Sequence, residues 1–180
     1  MANISDIRSS DTPWRILIWG GLAALLALPA IAMRFTDEVV WTATDFVTAA
    51  VIFAVVGACF EWAARMSRNW VYRAGFAITI ITSFLTVWVN LAVGMIGNEE
   101  NPANLIFLGV LLTAIVASIV ARFRADGMSR AMLLAALVQA GCAAWAASSG
   151  HARDAIFISI FSVFWLASAA LFRMAARSGA

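Results

Sequence analysis

The amino-acid sequence predicts an all-α integral membrane protein, a bundle of six spanning helices joined by short loops. Of its 180 residues, 63% are apolar and only 12% are charged, whereas a soluble domain carries about 25% charged residues. The apolar residues fall into six stretches of about 18–27 residues, close to the ~20 that a helix needs to cross a bilayer. The stretches leave no room for a soluble domain, so one membrane domain over residues 1–180 is expected, with helices at 16–33, 45–64, 71–97, 103–121, 131–148 and 155–174.

The first stretch has two interpretations. It follows Arg8 and Arg15 and ends in Ala30-Ile31-Ala32, which resembles a signal-peptidase site, and cleavage there would leave five helices. Its apolar run, however, is longer than the 7–15 residues typical of a signal peptide, and Pro29 is a common residue of membrane helices. A retained spanning helix is therefore favoured.

The arginines predict the orientation of the bundle. If the N-terminus is cytoplasmic, only Arg34 and Arg153 fall on the opposite side of the membrane. Cytoplasmic loops are enriched in basic residues, so both termini are predicted to be cytoplasmic. The ten remaining arginines would then be cytoplasmic, namely Arg8, Arg15, Arg65, Arg68, Arg73, Arg122, Arg124, Arg130, Arg173 and Arg177.

The second predicted helix carries a carboxylate near each end. Asp45 closes Thr42-Ala43-Thr44-Asp45, which has the form of a capping box. Glu61 precedes Arg65 by four residues, the spacing of an ion pair on a helix surface. Because carboxylates within membranes often carry protons or ions, Glu61 and Arg65 are also candidates for a proton or cation relay.

The third predicted helix carries a polar stripe. Thr79, Ser83, Thr86 and Asn90 follow spacings of four, three and four, and Gly94 and Gly97 are expected to continue the row. A polar face of a spanning helix turns toward protein or water, and the Asn90 amide is expected to need a partner on another helix. The stripe is therefore either an interhelical contact or the wall of an outward-facing cavity, and the nearby Trp88 either fills the bundle or lines that cavity.

The segment after the stripe is the strongest candidate for ligand binding. It contributes Glu99, Glu100, Asn101 and Asn104, and Asp45 falls on the same side of the predicted membrane. Carboxylate and amide oxygens suit hard cations such as Ca²⁺ or Mg²⁺, but the spacing matches no defined metal loop, so no particular metal is predicted. The alternative is a solvated acidic face. The full candidate set is Asn90, Glu99, Glu100, Asn101, Asn104, Asp45 and Trp88.

Small residues recur every four positions in the last part of the chain. Gly109, Thr113 and Ala117 do so in the fourth predicted helix, and Ala136, Ala140 and Ala144 in the fifth. Such rows let helix backbones approach closely in membranes. They are expected to pack within the bundle, and a dimer interface is the alternative.

The residue counts exclude several classes of function. The chain has no lysine, which excludes a Walker-type nucleotide site and a lysine Schiff base. A single histidine, His151, cannot build a site of several imidazoles. The arginines form no run typical of nucleic-acid binding, and no catalytic set stands out. The sequence therefore predicts a protein that is not an enzyme, binds no cofactor, nucleotide or nucleic acid, and has the lipid bilayer as its main partner.

Residues 88–105, from Trp88 through Asn98-Glu99-Glu100-Asn101-Pro102 to Leu105, resemble a stretch of small polytopic inner-membrane proteins of Gram-negative bacteria. Residues 41–46 are similar to the same group. The resemblance implies an inner-membrane location and brings no activity or site residue with it.

Two functions are compatible with these features. One is binding or passage of a cation or small polar solute through an outward-facing polar site formed by the third helix and residues 98–104. The alternative is an accessory or scaffold subunit, whose partners would be other membrane subunits or a second copy of the chain.

Overall fold

The structure, a computed structural model, describes residues 12–178, and these residues are helical with no strand. A 3₁₀ helix, Pro102–Leu105, leads directly into the fourth α-helix. All six helical segments are long and apolar enough to cross a membrane, so the predicted membrane helical fold is confirmed. The α-helices are α1 Thr12–Ala32, α2 Ala43–Met66, α3 Trp70–Ala92, α4 Ile106–Val120, α5 Ala125–Ser148 and α6 Ala152–Ser178.

Helix α3 ends five residues earlier than the sequence predicts. The chain leaves the helix at Val93, and Gly94 and Gly97 adopt positive φ angles of 74° and 71°. Glycine adopts this left-handed conformation without the steric cost that other residues incur. The expectation that Gly94 and Gly97 continue the polar stripe is therefore wrong. Asn90 lies only two residues, about 3 Å, inside the end of α3.

The chain divides into two compact units, Met1–Trp62 and Ala63–Ala180, with the boundary inside α2. In the first unit, the Trp19 ring of α1 packs on Gly57 of α2. A Cβ atom at position 57 would lie 2.8 Å from Trp19 Cη2, closer than van der Waals contact allows. The missing side chain at Gly57 therefore makes room for the tryptophan.

In the second unit, α6 packs against both α3 and α5, and α5 also packs against α4. The buried face of α6 includes Trp165 and Phe172, neither of which is exposed to solvent. A polar contact joins α3 to α6 in this core, where Thr79 Oγ1 lies 2.8 Å from Ser168 Oγ and Ser168 Oγ donates to the Gly75 carbonyl. Helix α6 therefore lies at the centre of the second unit.

The buried face of α5 differs from the predicted row of small residues. Ala136 is buried, but Ala140 and Ala144 are exposed. The face that packs in the core instead contains Met132, Ala135, Gln139, Ala143 and Ala146. Alanine occurs on every side of this helix, so alanine spacing alone could not identify the packed side.

Candidate functional site

A groove of about 460 Å³ lies between the end of α3, the loop that follows it and the start of α4. We call it the α3–α4 groove. Its volume is within the range of small-molecule sites, roughly 300–1,000 Å³. Most of its wall is apolar, and its polar groups come from the loop and from the last turns of α3. It is lined by Thr86, Val87, Asn90, Leu91, Glu99, Glu100, Asn101, Pro102, Asn104, Leu105, Phe107, Leu108 and Leu111.

The structure brings together five of the seven predicted ligand-binding residues: Asn90, Glu99, Glu100, Asn101 and Asn104 all line the α3–α4 groove. The other two candidates, Asp45 and Trp88, are not among the lining residues.

Asp45 and Trp88 have other contacts. The Asp45 carboxylate accepts hydrogen bonds from the Thr42 backbone N–H at 2.7 Å and from the Thr42 hydroxyl at 2.8 Å. The Asp45 N–H points back to Thr42 Oγ1 at 3.4 Å. These contacts form the predicted capping box at the start of α2. The Trp88 ring stacks on Phe84, with ring centroids 5.6 Å apart.

Asn104 holds the loop in place. Its Oδ1 accepts hydrogen bonds from the backbone N–H groups of Met95 and Ile96, both at 2.9 Å. Its Nδ2 donates to the carbonyls of Ile96, at 3.3 Å, and Asn98, at 2.7 Å. The side chain is buried and its hydrogen-bonding capacity is used within the protein. Asn104 therefore fixes the loop that borders the groove, and its side chain has no polar atom free to contact a ligand.

Two further side chains fix the same loop. Asn101 Oδ1 accepts from the Ala103 N–H and so caps the 3₁₀ helix. Asp154, in the first turn of α6, accepts from the Gly97 N–H at 2.9 Å, and His151 Nδ1 lies 3.3 Å from the same carboxylate oxygen. The loop that carries Glu99 and Glu100 is thus held to the 3₁₀ helix that precedes α4 and to α6.

The hydrogen-bond partners of Asn90 differ from those that the sequence predicts. Its Nδ2 donates to the Thr86 carbonyl one turn earlier at 2.6 Å, so the expectation that the amide needs a partner on another helix is wrong for this half of the group. Its Oδ1 is inaccessible to solvent and has no hydrogen-bond partner among the described residues. Thr86 is fully buried and donates to the carbonyl of Thr82. Of the predicted stripe, only Thr86 and Asn90 reach the groove.

Glu99 and Glu100 supply the negative charge of the groove. Both residues are exposed, and within residues 12–178 neither side chain forms a hydrogen bond or an ion pair. Residues 12–178 contain no group of three or more His, Cys, Asp or Glu side chains that could hold a metal ion. The arrangement can attract a cation electrostatically, and its apolar wall can accept a hydrocarbon group.

Several functional features of the groove were not predicted from the sequence. Its apolar wall includes Leu105, Leu108 and Leu111, which have the three-residue spacing of a helix face but resemble any other leucines in a spanning helix. The bond from Gly97 to Asp154 joins residues 57 positions apart. Neither feature has a local pattern from which it could have been identified.

A second polar cluster surrounds Glu61 in the first unit. The Arg15 guanidinium binds both carboxylate oxygens of Glu61. Arg15 Nη2 donates to Oε1 at 2.8 Å and to Oε2 at 2.9 Å, and Arg15 Nε donates to Oε1 at 3.0 Å. Trp19 Nε1 donates to Glu61 Oε1 at 2.9 Å. Arg15 and Trp19 lie one turn apart on α1, so one face of that helix holds the carboxylate. These donors favour a structural role for Glu61 rather than a relay.

We expect Glu61→Gln to lower the free energy of unfolding by about 1.5–3 kcal/mol, the range for a hydrogen bond to a charged group. The Glu61 side chain is 17% exposed and the Arg15 side chain 48%, so solvent screens this pair less than a fully exposed surface pair and more than a buried one, and the lower end of this range is expected. In a double-mutant cycle measured by unfolding in detergent, Arg15→Gln should add little to Glu61→Gln. The control is Asp126→Asn, which breaks an ion pair with Arg130 whose side chains are 63% and 78% exposed. Strict additivity of Arg15→Gln and Glu61→Gln would refute the pairing.

No family model, curated protein or solved structure matches the chain.

Proposed function

We propose that this multi-pass membrane protein binds an organic cation in the α3–α4 groove and carries out no chemical step on it. The observation that supports this proposal is the pairing of two carboxylates, Glu99 and Glu100, with an otherwise apolar groove. The carboxylates have no partner of their own within residues 12–178. A cation with a hydrocarbon body satisfies both parts of the groove at once.

A bare metal ion suits the groove less well. Ca²⁺ takes six to eight oxygen ligands, and Mg²⁺ keeps most of its water. Asn101 and Asn104 already use their Oδ1 atoms on backbone N–H groups. Too few oxygen atoms remain to replace a hydration shell, whereas an organic cation is weakly hydrated around its carbon atoms and needs only charge and apolar contact.

We also propose that the protein lies in the inner membrane of a bacterium with both termini in the cytoplasm. The arginine distribution and the resemblance of residues 88–105 support this location. The groove would then face the periplasm. Reporter fusions after residue 180 should be active in the cytoplasm, and fusions within residues 98–101 should be active in the periplasm. The reverse pattern would refute the orientation.

The test of binding is thermal unfolding of the protein purified in a neutral detergent. We expect hexylammonium to raise the melting temperature in a saturable way, since a ligand at 100 times its Kd adds about 2.7 kcal/mol of stability. Sodium and magnesium at equal ionic strength should have a smaller effect. Glu99→Gln/Glu100→Gln should weaken hexylammonium binding by about tenfold or more, which corresponds to ~1.4 kcal/mol.

Glu38→Gln is the matched control, because Glu38 is also exposed but lies in the other unit. It should bind hexylammonium as the parent protein does. Equal responses of all three proteins would contradict a site at Glu99 and Glu100. The accessory-subunit alternative makes the opposite prediction, with no response to any cation and a membrane partner that co-purifies in mild detergent.

A further inference from the structure

We infer that the natural occupant of the α3–α4 groove is a membrane lipid whose headgroup carries a primary ammonium, as in phosphatidylethanolamine. The ammonium would bind at Glu99 and Glu100, and one acyl chain would follow the apolar wall. This inference rests on the proposed function, since it names the class of cation that the same groove takes.

The groove is bordered by exposed apolar side chains. Leu91, Leu105 and Leu108 line it and are 58%, 65% and 53% exposed. They lie on or beside segments that are long and apolar enough to span a membrane. Exposed apolar side chains on such helices contact lipid tails rather than water. A molecule can therefore enter the groove sideways from the bilayer, where lipids are by far the most abundant amphiphiles.

The order of groups along the groove matches the order of groups in a lipid. Glu99 and Glu100 lie in the loop between two segments that are long and apolar enough to span a membrane, so we place them at the level of the lipid headgroups. From Leu105 to Leu111 the wall descends six residues, about 9 Å at 1.5 Å per residue. The charged end and the apolar end of the groove are thus arranged along the membrane normal, as they are in a lipid molecule.

The charge of the groove selects the headgroup. Within residues 12–178 the two adjacent carboxylates have no basic partner, so they disfavour a headgroup of net negative charge, such as phosphoglycerol, relative to a zwitterionic one. A primary ammonium has three N–H donors, so it can bond to both glutamates. A trimethylammonium has the same charge and no donor.

The experiment compares three lipids with the same dioleoyl chains, added as mixed micelles to the delipidated full-length protein. Native mass spectrometry counts bound lipid, and thermal unfolding measures stabilisation. We expect phosphatidylethanolamine to bind at least about fivefold more tightly than phosphatidylcholine, and phosphatidylglycerol to be the weakest. Glu99→Gln/Glu100→Gln should abolish this preference, and Glu38→Gln should keep it.

A second variant tests the acyl chain. Leu108→Trp places a bulky apolar ring in the groove wall at a position that is half exposed, so the fold should tolerate it. It should lower phosphatidylethanolamine binding about tenfold or more, and it should also weaken the binding of hexylammonium, whose hexyl group lies along the same wall. Unchanged phosphatidylethanolamine binding in this variant would overturn the placement of the acyl chain. If hexylammonium binds at Glu99 and Glu100 but the three lipids bind equally, the lipid assignment is overturned and the proposed function stands. If hexylammonium does not bind either, both proposals fail.

Discussion

Replacing Asn104 by leucine is expected to detach the loop over residues 95–101 and to destabilise the protein more than any other single change proposed for the groove. The backbone N–H groups of Met95 and Ile96 would lose the side-chain oxygen that accepts their hydrogen bonds, and these residues are 2% and 0% exposed. Each buried donor left without a partner costs about 1–3 kcal/mol. The expected loss is therefore about 2–6 kcal/mol, although leucine has the same number and branching of side-chain heavy atoms as asparagine.

Unfolding in detergent and limited proteolysis of the loop measure this effect. Asn98→Leu is the matched control, because Asn98 is exposed and contributes its backbone carbonyl rather than its side chain to the contact with Asn104. It should stay within about 0.5 kcal/mol of the parent protein, as surface substitutions usually do. Asn104→Leu should also lose the response to hexylammonium, because the loop that carries Glu99 and Glu100 would no longer be positioned. Equal stabilities of the two variants would show that Asn104 does not hold the loop.

The second large effect is expected at Gly94. Alanine at this position would have to adopt a φ of 74°, at a cost of about 1–2 kcal/mol for a residue with a Cβ atom. The new Cβ would also collide with the Asn98 carbonyl group, which is backbone and cannot rotate away as a side chain can. We therefore expect Gly94→Ala to lower the free energy of unfolding by more than about 2 kcal/mol.

Gly109→Ala provides a control of opposite sign. Gly109 lies within α4, and apart from the neighbouring residues and backbone of its own helix, no atom of the described residues lies within 4 Å of the position that its Cβ would take. Alanine is favoured over glycine in a helix interior by up to about 1 kcal/mol, so this variant should be as stable as the parent or more stable. If both variants unfold at the same temperature, the turn after α3 does not have the constrained geometry described above.

The membrane fold could be predicted from the sequence because it depends on properties that are local in the chain. Long apolar runs and the scarcity of charge identify spanning helices without any knowledge of their neighbours. The capping box at Asp45 was also predictable, since Thr42 and Asp45 lie within one turn. The grouping of Asn90 with residues 99–104 was predictable too, because only the loop after α3 separates them in the sequence.

The features that were missed depend on contacts between distant residues. The early end of α3 follows from the left-handed turn at Gly94, and Asn104 stabilises that loop from ten positions away. Arg15, which binds Glu61, lies 46 positions away from it in the sequence. The spacing of charges predicted an ion pair of Glu61 only with Arg65, four residues along the same helix. The packed face of α5 could not be found because alanine occupies both its buried and its exposed sides.

The contact between Arg15 and Glu61 has a consequence for the biogenesis of the protein. Inserting a single charged side chain into a bilayer through the translocon costs up to about 2.5–3.5 kcal/mol at the middle of a helix, and less toward its ends. Arg15 lies near the beginning of α1 and Glu61 near the end of α2, so the two charges meet once the chain has crossed the membrane twice. A helix pair that neutralises its own charges partitions into lipid more readily than either helix does by itself. Helices α1 and α2 are thus suited to leave the translocon together as a hairpin, after the ribosome has completed α2.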